Sequence, residues 1–339
     1  MIYVAVFLLT LLFSTLKWEI DPQAIKMAAL VALSYVVFAD SLRLRFRPVV
    51  KYHSLALAMA FLALAAFILF SYFGLPVAYL PLLALFDIKG ERGIEQKGLV
   101  PLKIIQMLSI DGGLRTLITT AAFVYLTTDA LQSFAMGIAS GVLLGGAILA
   151  LLHLLRIPYI LFLVPLIAIL GLESYEYIPL LSIGISGTVI GNFSRMSAKQ
   201  YLLTIKRFYP LLLSVTIIAF TLLYSPILIS SMGWDYLVYA GVIFIGYLLF
   251  CLIVLKIVGM RFETGLFYSI ASLPGVSTFT YILLVNDSQT DALPCVIVIL
   301  FVLRLILLPR AIEMYGRIFT GRDPYSSLKE HGAVVELPV

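Results

Sequence analysis

The feature that most constrains this chain is a succession of long apolar segments with only short polar stretches between them. A helix that crosses a bilayer needs about 20 mainly apolar residues, and fewer where it is bent or paired. Twelve segments of the 339-residue chain come close to that length, and we number them spans 1–12. They cover residues 2–17, 25–40, 54–73, 75–87, 104–126, 131–152, 157–172, 177–194, 208–230, 236–256, 262–284 and 292–312. The pattern predicts an all-α polytopic membrane protein with about 12 transmembrane helices.

The composition excludes most other classes of protein. Apolar residues make up 62% of the chain and charged residues 12%, whereas a soluble domain has about 25% charged residues. The two cysteines, Cys251 and Cys295, lie in apolar segments and show neither metal-ligand spacing nor a disulfide framework. There is also no Ser–His pair and no glycine-rich phosphate loop. We therefore expect no enzymatic activity, no cofactor, no resident metal ion and no nucleic-acid partner.

The basic residues orient the chain in the membrane. With twelve spans, nineteen of the 23 Lys and Arg residues fall on one side and only Lys17 and Lys26 fall on the other. Loops rich in Lys and Arg face the cytoplasm. The chain is thus predicted to be a multi-pass protein of the cell (plasma) membrane with both termini cytoplasmic. Because no basic residue precedes span 1, we expect it to be a retained helix rather than a signal peptide.

Two spans are predicted to be interrupted helices. Span 4 is apolar for only about thirteen residues, contains Pro81 and runs into Asp87. Span 11 carries the pair Pro274 and Gly275 near its middle. Interrupted helices in corresponding positions of two halves point to a transporter site. Spans 3–5 and 10–12 would then form inverted repeats, although a pair of proline kinks without a transport role is the alternative.

Three charged residues lie well inside predicted spans, where each costs several kcal/mol unless it is paired or hydrated. Asp111 and Arg115 are four residues apart in span 5 and can pair on one helix face. Arg304 lies in span 12, which mirrors span 5 in the second repeat. Asp111, with Ser109 nearby, would bind a cation or a proton in turn. A static ion network that locks the helices together is the other interpretation, and it remains open.

Span 6 contains three glycines at four-residue spacing, Gly137, Gly141 and Gly145. Residues four apart share one face of a helix, and a stripe of small residues lets two membrane helices approach closely. We expect this face to serve packing rather than chemistry.

The order of these features resembles that of the monovalent cation/proton antiporter superfamily, which includes the sodium/hydrogen exchangers. The segments at 36–50 and 181–195 resemble the ends of the second and eighth helices of that family. The segment at 106–113 resembles the ion-binding part of helix 5, with Asp111 in the place of the ion-binding aspartate. The segment at 273–279 resembles the crossing stretch of helix 11. Asp87 is similarly placed to the aspartate of the unwound helix 4.

The chain also departs from the family pattern. Ile110 precedes Asp111 where the family has Asn or Asp, and Gln106 and Met107 replace the glutamate and serine of the helix 5 motif. Ser41 stands where a glycine is usual, and span 10 has no mid-membrane lysine. These departures support a divergent member.

The resemblance implies a domain organisation. Residues 1–314 would form the membrane domain and residues 315–339 a cytoplasmic tail. Helices at about 54–126 and 236–312 would form a moving core, and helices at about 2–40 and 157–230 a scaffold, with helix 131–152 linking them. A homodimer is implied as well.

These observations predict a secondary active transporter that exchanges protons for Na⁺, Li⁺ or K⁺ across the lipid bilayer. Asp111 would bind the proton and the cation in competition, with Asp87, Ser109, Ser277 and Thr278 assisting. Main-chain carbonyls freed at the helix breaks would complete the site. Arg115 or Arg304 would supply the compensating charge. Because arginine does not release its proton in proteins, exchange is predicted to be electroneutral, one H⁺ per cation.

Two alternatives stay open at this point. The same broken-helix architecture would suit a transporter of organic anions, whose carboxylate the membrane arginines would bind. The departures from the motifs would also suit a non-transporting membrane sensor or assembly protein.

Overall fold

Every regular element in the described part of the chain is helical, which confirms the predicted all-α class. The computed structural model describes residues 2–14, 21–44, 131–172, 178–231, 233–257, 261–271 and 292–320, together with Leu117, Thr120 and Ala121. We number the α-helices in chain order. They are α1 (Ile2–Ser14), α2 (Pro22–Arg43), α3 (Leu131–Leu155), α4 (Val164–Gly171), α5 (Ile178–Phe193), α6 (Arg195–Ser231), α7 (Trp234–Ile257), α8 (Phe262–Ala271) and α9 (Ala292–Thr320). A 3₁₀ helix, Pro158–Leu163, precedes α4.

Five stretches within these helices are long and apolar enough to cross a membrane. They are Pro22–Arg43, Gln132–Leu155, Arg195–Ser230, Trp234–Ile257 and Pro294–Gly316. Two shorter apolar stretches, Pro158–Gly171 and Ile178–Phe193, lie between them in the chain. The total of twelve spans and the inverted repeats stay predictions, since spans 3 and 4 and most of span 5 lie outside the described residues.

Helices α1–α6 form a first group, and α5 lies at its centre, in contact with α2, α3, α4 and α6. Twelve of its sixteen residues are buried. On one side it packs against α3, and the three glycines of α3 make this approach close. A Cβ atom added at Gly141 would come within 2.7 Å of the Ser182 main-chain oxygen, and one at Gly137 within 2.8 Å of a Leu181 methyl carbon. The predicted packing role of the glycine stripe is therefore confirmed.

On its other side α5 packs against α2, again through glycines. A Cβ added at Gly187 would lie 2.9 Å from the Ser41 Cβ, and one at Gly191 would clash with the main-chain carbonyl of Leu42. Side chains larger than hydrogen at these two positions would push α2 away from α5. Glycines thus let α5 fit between α2 and α3.

Helix α6 begins thirteen residues before the predicted span 9. The basic segment at 195–207, predicted to be a loop, is its first three turns. Its buried residues Ala198, Tyr201 and Ile205 recur at helical spacing, whereas Lys206 and Arg207 are exposed. An amphipathic helix with this spacing buries one face. At 37 residues, α6 is roughly 55 Å long, so it extends well beyond a hydrocarbon core of about 30 Å.

Helices α7, α8 and α9 pack against one another and form the second group. Helix α9 also contacts α6, because Ile297, Val298 and Phe301 belong to the same apolar cluster as the buried residues of α2 and α6. It runs to Thr320, five residues beyond the predicted start of the tail. Tyr315, which was assigned to that tail, is instead buried against Phe267, with ring centroids 4.8 Å apart.

Candidate functional site

Most of the predicted site residues lie outside the described part of the chain, and Arg304 lies within it. The residues outside it are Pro81, Asp87, Ser109, Asp111, Arg115, Pro274, Gly275, Ser277 and Thr278. Their predicted roles stay predictions. The described part of the candidate site is therefore the part on α9, which carries Arg304.

Arg304 is buried in the middle of α9, with only 5% of its surface exposed. The surrounding stretch, Pro294–Gly316, is one of those apolar enough to cross a membrane. Four residues earlier, Leu300 packs with Ala240 of α7, and Phe301 packs in the cluster shared with α6. A charged group in such a place is costly, and charged residues inside membrane spans typically face a protein interior and serve a function.

The same side of α9 faces α8. Tyr315 lies eleven residues after Arg304, about three helical turns, so the two residues share a face of α9. The Tyr315 ring stacks on Phe267, and its hydroxyl lies 3.3 Å from the Thr264 hydroxyl. Both partners belong to α8. The helix that leads toward the predicted break at Pro274 and Gly275 is thus packed on the face of α9 that carries Arg304.

A second buried charged residue, Asp40, was not identified from the sequence. It lies near the end of α2 with 6% of its surface exposed. The sequence placed Asp40 at the last position of span 2, beside the basic segment that follows, and such a position is usually solvated. The apolar run before Asp40 continues with Leu42 and Leu44. This continuation was the signal in the sequence that the end of α2 is buried.

Ser41, the residue in the place of a usual glycine, lies in the close contact between α2 and α5. Its Cβ is opposite Gly187, so the small side chain and the glycine together keep the helices close. The Ser41 hydroxyl is buried and has no hydrogen-bond partner among the described residues. This serine is tolerated because Gly187 leaves room for its Cβ.

The described residues contain no group of three or more His, Cys, Asp or Glu side chains that could hold a metal ion. Cys251 and Cys295 are both buried, and neither forms a disulfide within the described residues.

Comparison with known proteins identifies the fold. No family model matches the chain. The comparison with curated proteins found no match either. Among solved structures, the chain is similar to the sodium/proton antiporter MjNhaP1 from Methanocaldococcus jannaschii, with a TM-score of 0.71. The likeness covers 94% of this chain and 92% of the antiporter chain at 14% sequence identity. The chain therefore has the fold of a sodium/proton antiporter, as the order of its sequence features predicted.

Proposed function

We propose that this protein is a secondary active transporter that exchanges protons for a monovalent cation, Na⁺, Li⁺ or K⁺. The observation that carries the proposal is the likeness to a sodium/proton antiporter over nearly the whole length of both chains. A fold by itself can serve several functions. The buried Arg304 adds support, because a charge retained inside an apolar helix is costly and typically functional.

In the proposed mechanism Asp111 is the group that binds either the proton or the cation. A carboxylate in a low-dielectric site holds its proton more tightly than one in water, so it releases it near neutral pH when a cation arrives. Ser109, Ser277 and Thr278 would contribute oxygen ligands. Asp87 would lie along the access path. Because one carboxylate serves both ions, each transport cycle would exchange one proton for one cation.

Arg304 would compensate charge in this site. Helix α8 begins beside Tyr315 and packs on the Arg304 face of α9. A helix that continued from Thr264 antiparallel to α9 would reach the level of Arg304 after about eleven residues. That position falls at the pair Pro274 and Gly275. We propose that Arg304 lies opposite the break in span 11 and offsets its freed carbonyls when no cation is bound.

Alternating access would come from movement of the core helices, including α7–α9, against the scaffold that contains α2, α4, α5 and α6. Their described contact runs between α9 and α6 through apolar side chains such as Phe301. Apolar contacts have no directional bonds to break, so one surface can slide on the other. A homodimer held by the scaffold, with both termini cytoplasmic in the plasma membrane, completes the proposal.

The experiment uses purified full-length protein in proteoliposomes with a pH-sensitive dye inside. Na⁺, Li⁺ and K⁺ are added in turn to wild-type protein, Asp111→Asn and Asp235→Asn. Asp235 is an exposed carboxylate in the first turn of α7 and serves as the matched control. We expect at least one cation to drive alkalinisation, with loss of the signal in Asp111→Asn and near-normal flux in Asp235→Asn.

Failure of every cation to drive proton movement, with the protein correctly inserted, would overturn the antiporter proposal. Uptake of a radiolabelled carboxylic acid that does not depend on cations would instead favour the organic-anion alternative, in which Arg304 binds the carboxylate of the substrate. If the protein transports neither class of substrate, the result would favour the sensor or assembly role.

A further inference from the structure

The first turns of α6 continue a face of the helix that is exposed and apolar further along. Leu203, Arg207, Leu211 and Ile218 follow one another at spacings of four, four and seven residues, so they lie on one face of α6. All four are exposed, Leu203 to 51% and Leu211 to 62%. Leu211 and Ile218 lie in a stretch that is apolar enough to cross a membrane. Exposed apolar side chains in such a stretch face lipid, and the same face runs into the basic turns.

Two side chains indicate where this face leaves the apolar layer of the membrane. Arg207 precedes Leu211 by four residues, about 6 Å along the helix axis. An arginine at this level lays its stem along apolar surface and keeps its guanidinium among the head groups. Tyr159 of the 3₁₀ helix is 68% exposed and lines the same cavity as Leu203. Tyrosines are enriched at the head-group level of membranes, so the first turns of α6 lie in or beside the head-group layer.

Basic side chains form a second stripe beside this face. Arg195, Lys199 and Lys206 follow one another at spacings of four and seven residues, and they share one side of α6. Arg195 and Lys206 are exposed. No Asp or Glu occurs in residues 177–231, so no acidic side chain of α5 or α6 offsets this charge. Together with Arg207, the stripe gives the first turns of α6 a charge of one sign, which favours an anionic partner.

We propose that this surface binds anionic phospholipids of the cytoplasmic leaflet. We call it the α6 basic surface and define it by Arg195, Lys199, Leu203, Lys206 and Arg207. Polybasic segments beside membrane spans are attracted to anionic lipids, and the positive-inside rule assigns this segment to the cytoplasmic side. The charged side chains contact phosphate groups, and Leu203 contacts the upper part of the acyl chains. Bound lipid thereby fixes the depth of α6 in the membrane, whatever the protein transports.

The first test measures thermal unfolding of the purified full-length protein in detergent. Phosphatidylglycerol and phosphatidylcholine with the same acyl chains are titrated separately at low and high salt, and polyglutamate serves as a soluble acidic probe. We expect phosphatidylglycerol to stabilise the protein more than phosphatidylcholine does. This preference should shrink at high salt, because salt screens exposed charges, and polyglutamate should have little effect. Equal stabilisation by the two phospholipids would overturn the proposal, and so would polyglutamate that stabilises as much as phosphatidylglycerol, a result that would indicate an acidic protein partner.

Two double variants connect the effect to the α6 basic surface. Lys206→Gln/Arg207→Gln removes two exposed charges, and it should weaken the preference for phosphatidylglycerol by roughly tenfold or more, since each Lys or Arg near an anionic surface contributes about fivefold. Lys206→Arg/Arg207→Lys keeps both charges and is the matched control, with a preference within about twofold of the wild type. An unchanged preference in the glutamine variant would contradict the assignment.

A second measurement locates the lipid in a bilayer. The two cysteines of the chain, Cys251 and Cys295, are buried, so a fluorophore attached to Leu203→Cys reports on that position. Bilayers contain phosphatidylglycerol and phosphatidylcholine in equal amounts, and either lipid carries bromine, which quenches a fluorophore in contact with it. We expect brominated phosphatidylglycerol to quench Leu203→Cys more strongly, whereas the two lipids should quench the control Gln23→Cys, at the exposed start of α2, alike. Equal quenching at Leu203→Cys would overturn the proposal.

Discussion

The side-chain amide of Asn192 on α5 donates a hydrogen bond of 3.0 Å to the main-chain carbonyl of Leu44, the residue that caps the end of α2. The same amide nitrogen donates to the Thr188 carbonyl at 2.7 Å. Carbonyls at the ends of helices lack partners within the helix. Asn192 therefore joins the ends of two helices that are far apart in sequence. It provides a hydrogen-bond donor for the Leu44 carbonyl, which lies just beyond the last helical residue of α2.

We expect Asn192→Ala to lower the free energy of unfolding by about 1–3 kcal/mol, because it leaves a partly buried carbonyl unpaired. Thermal unfolding in detergent measures the effect. Asn192→Asp is the control, since a carboxylate has the same shape but does not donate to a carbonyl. If the Asp variant were as stable as the wild type, the hydrogen bond to Leu44 would not hold the helices together.

The contact between α3 and α5 gives a prediction with a control in the same helix. Gly141→Ala would place a Cβ within 2.7 Å of the Ser182 main-chain oxygen, and main chain does not move away cheaply. We expect a loss of about 1–3 kcal/mol in stability. Gly146→Ala adds a Cβ with nothing within 4 Å, so it should be neutral or stabilise by up to about 1 kcal/mol. Equal unfolding temperatures for the two variants would contradict the packing described here.

Arg304 is expected to matter for transport more than for folding. Arg304→Gln should reduce cation-driven proton flux by roughly tenfold or more, a loss typical for a group that acts in the transport step. The unfolding temperature is measured beside the flux, because removing a buried charge removes its desolvation cost but also leaves its partner without that interaction. Arg310→Gln, an exposed arginine on the same helix, should keep flux within about twofold of the wild type.

Arg304→Lys separates charge compensation from a purely structural role. It keeps the positive charge while losing the planar guanidinium. Partial flux in the lysine variant, with little in the glutamine variant, is the expected result. A glutamine variant that unfolds at much lower temperature and yet transports normally per folded molecule would instead assign Arg304 to a static network.

The stoichiometry is also open to measurement. One carboxylate and no titrating lysine in span 10 predict one proton per cation, so transport should be electroneutral. Purified protein on a solid-supported membrane should therefore give no sustained current when the cation concentration is raised, whereas pH changes continue. A cation-dependent current would show that a second charge moves in each cycle.

Much of the helical fold was predictable, because it depends on local patterns. Apolar runs identified the helices now seen as α1–α9, and the four-residue spacing of Gly137, Gly141 and Gly145 identified a packing face before its partner was known. The basic segment at 195–207 was predicted wrongly as a loop. Its charge dominated the interpretation, although Ala198, Tyr201 and Ile205 already showed helical spacing.

Contacts between distant segments were not predictable in the same way. The link from Asn192 to Leu44 joins residues 148 positions apart, and no periodicity indicates it. The burial of Asp40 near the end of α2 is a property of packing rather than of the local sequence. The sequence singled out Arg304 because a charge within an apolar run is visible locally, whereas the burial of its side chain required the fold.

The most direct test of antiport is uphill transport of the cation by a proton gradient. Proteoliposomes with an acidic interior are diluted into an alkaline buffer that contains trace radioactive Na⁺, and the internal Na⁺ is followed over time. We predict transient accumulation of Na⁺ above the external concentration, which collapses when an ionophore removes the pH gradient and is absent in Asp111→Asn. Internal Na⁺ that never exceeds the external concentration, with Li⁺ and K⁺ behaving in the same way, would contradict coupled antiport.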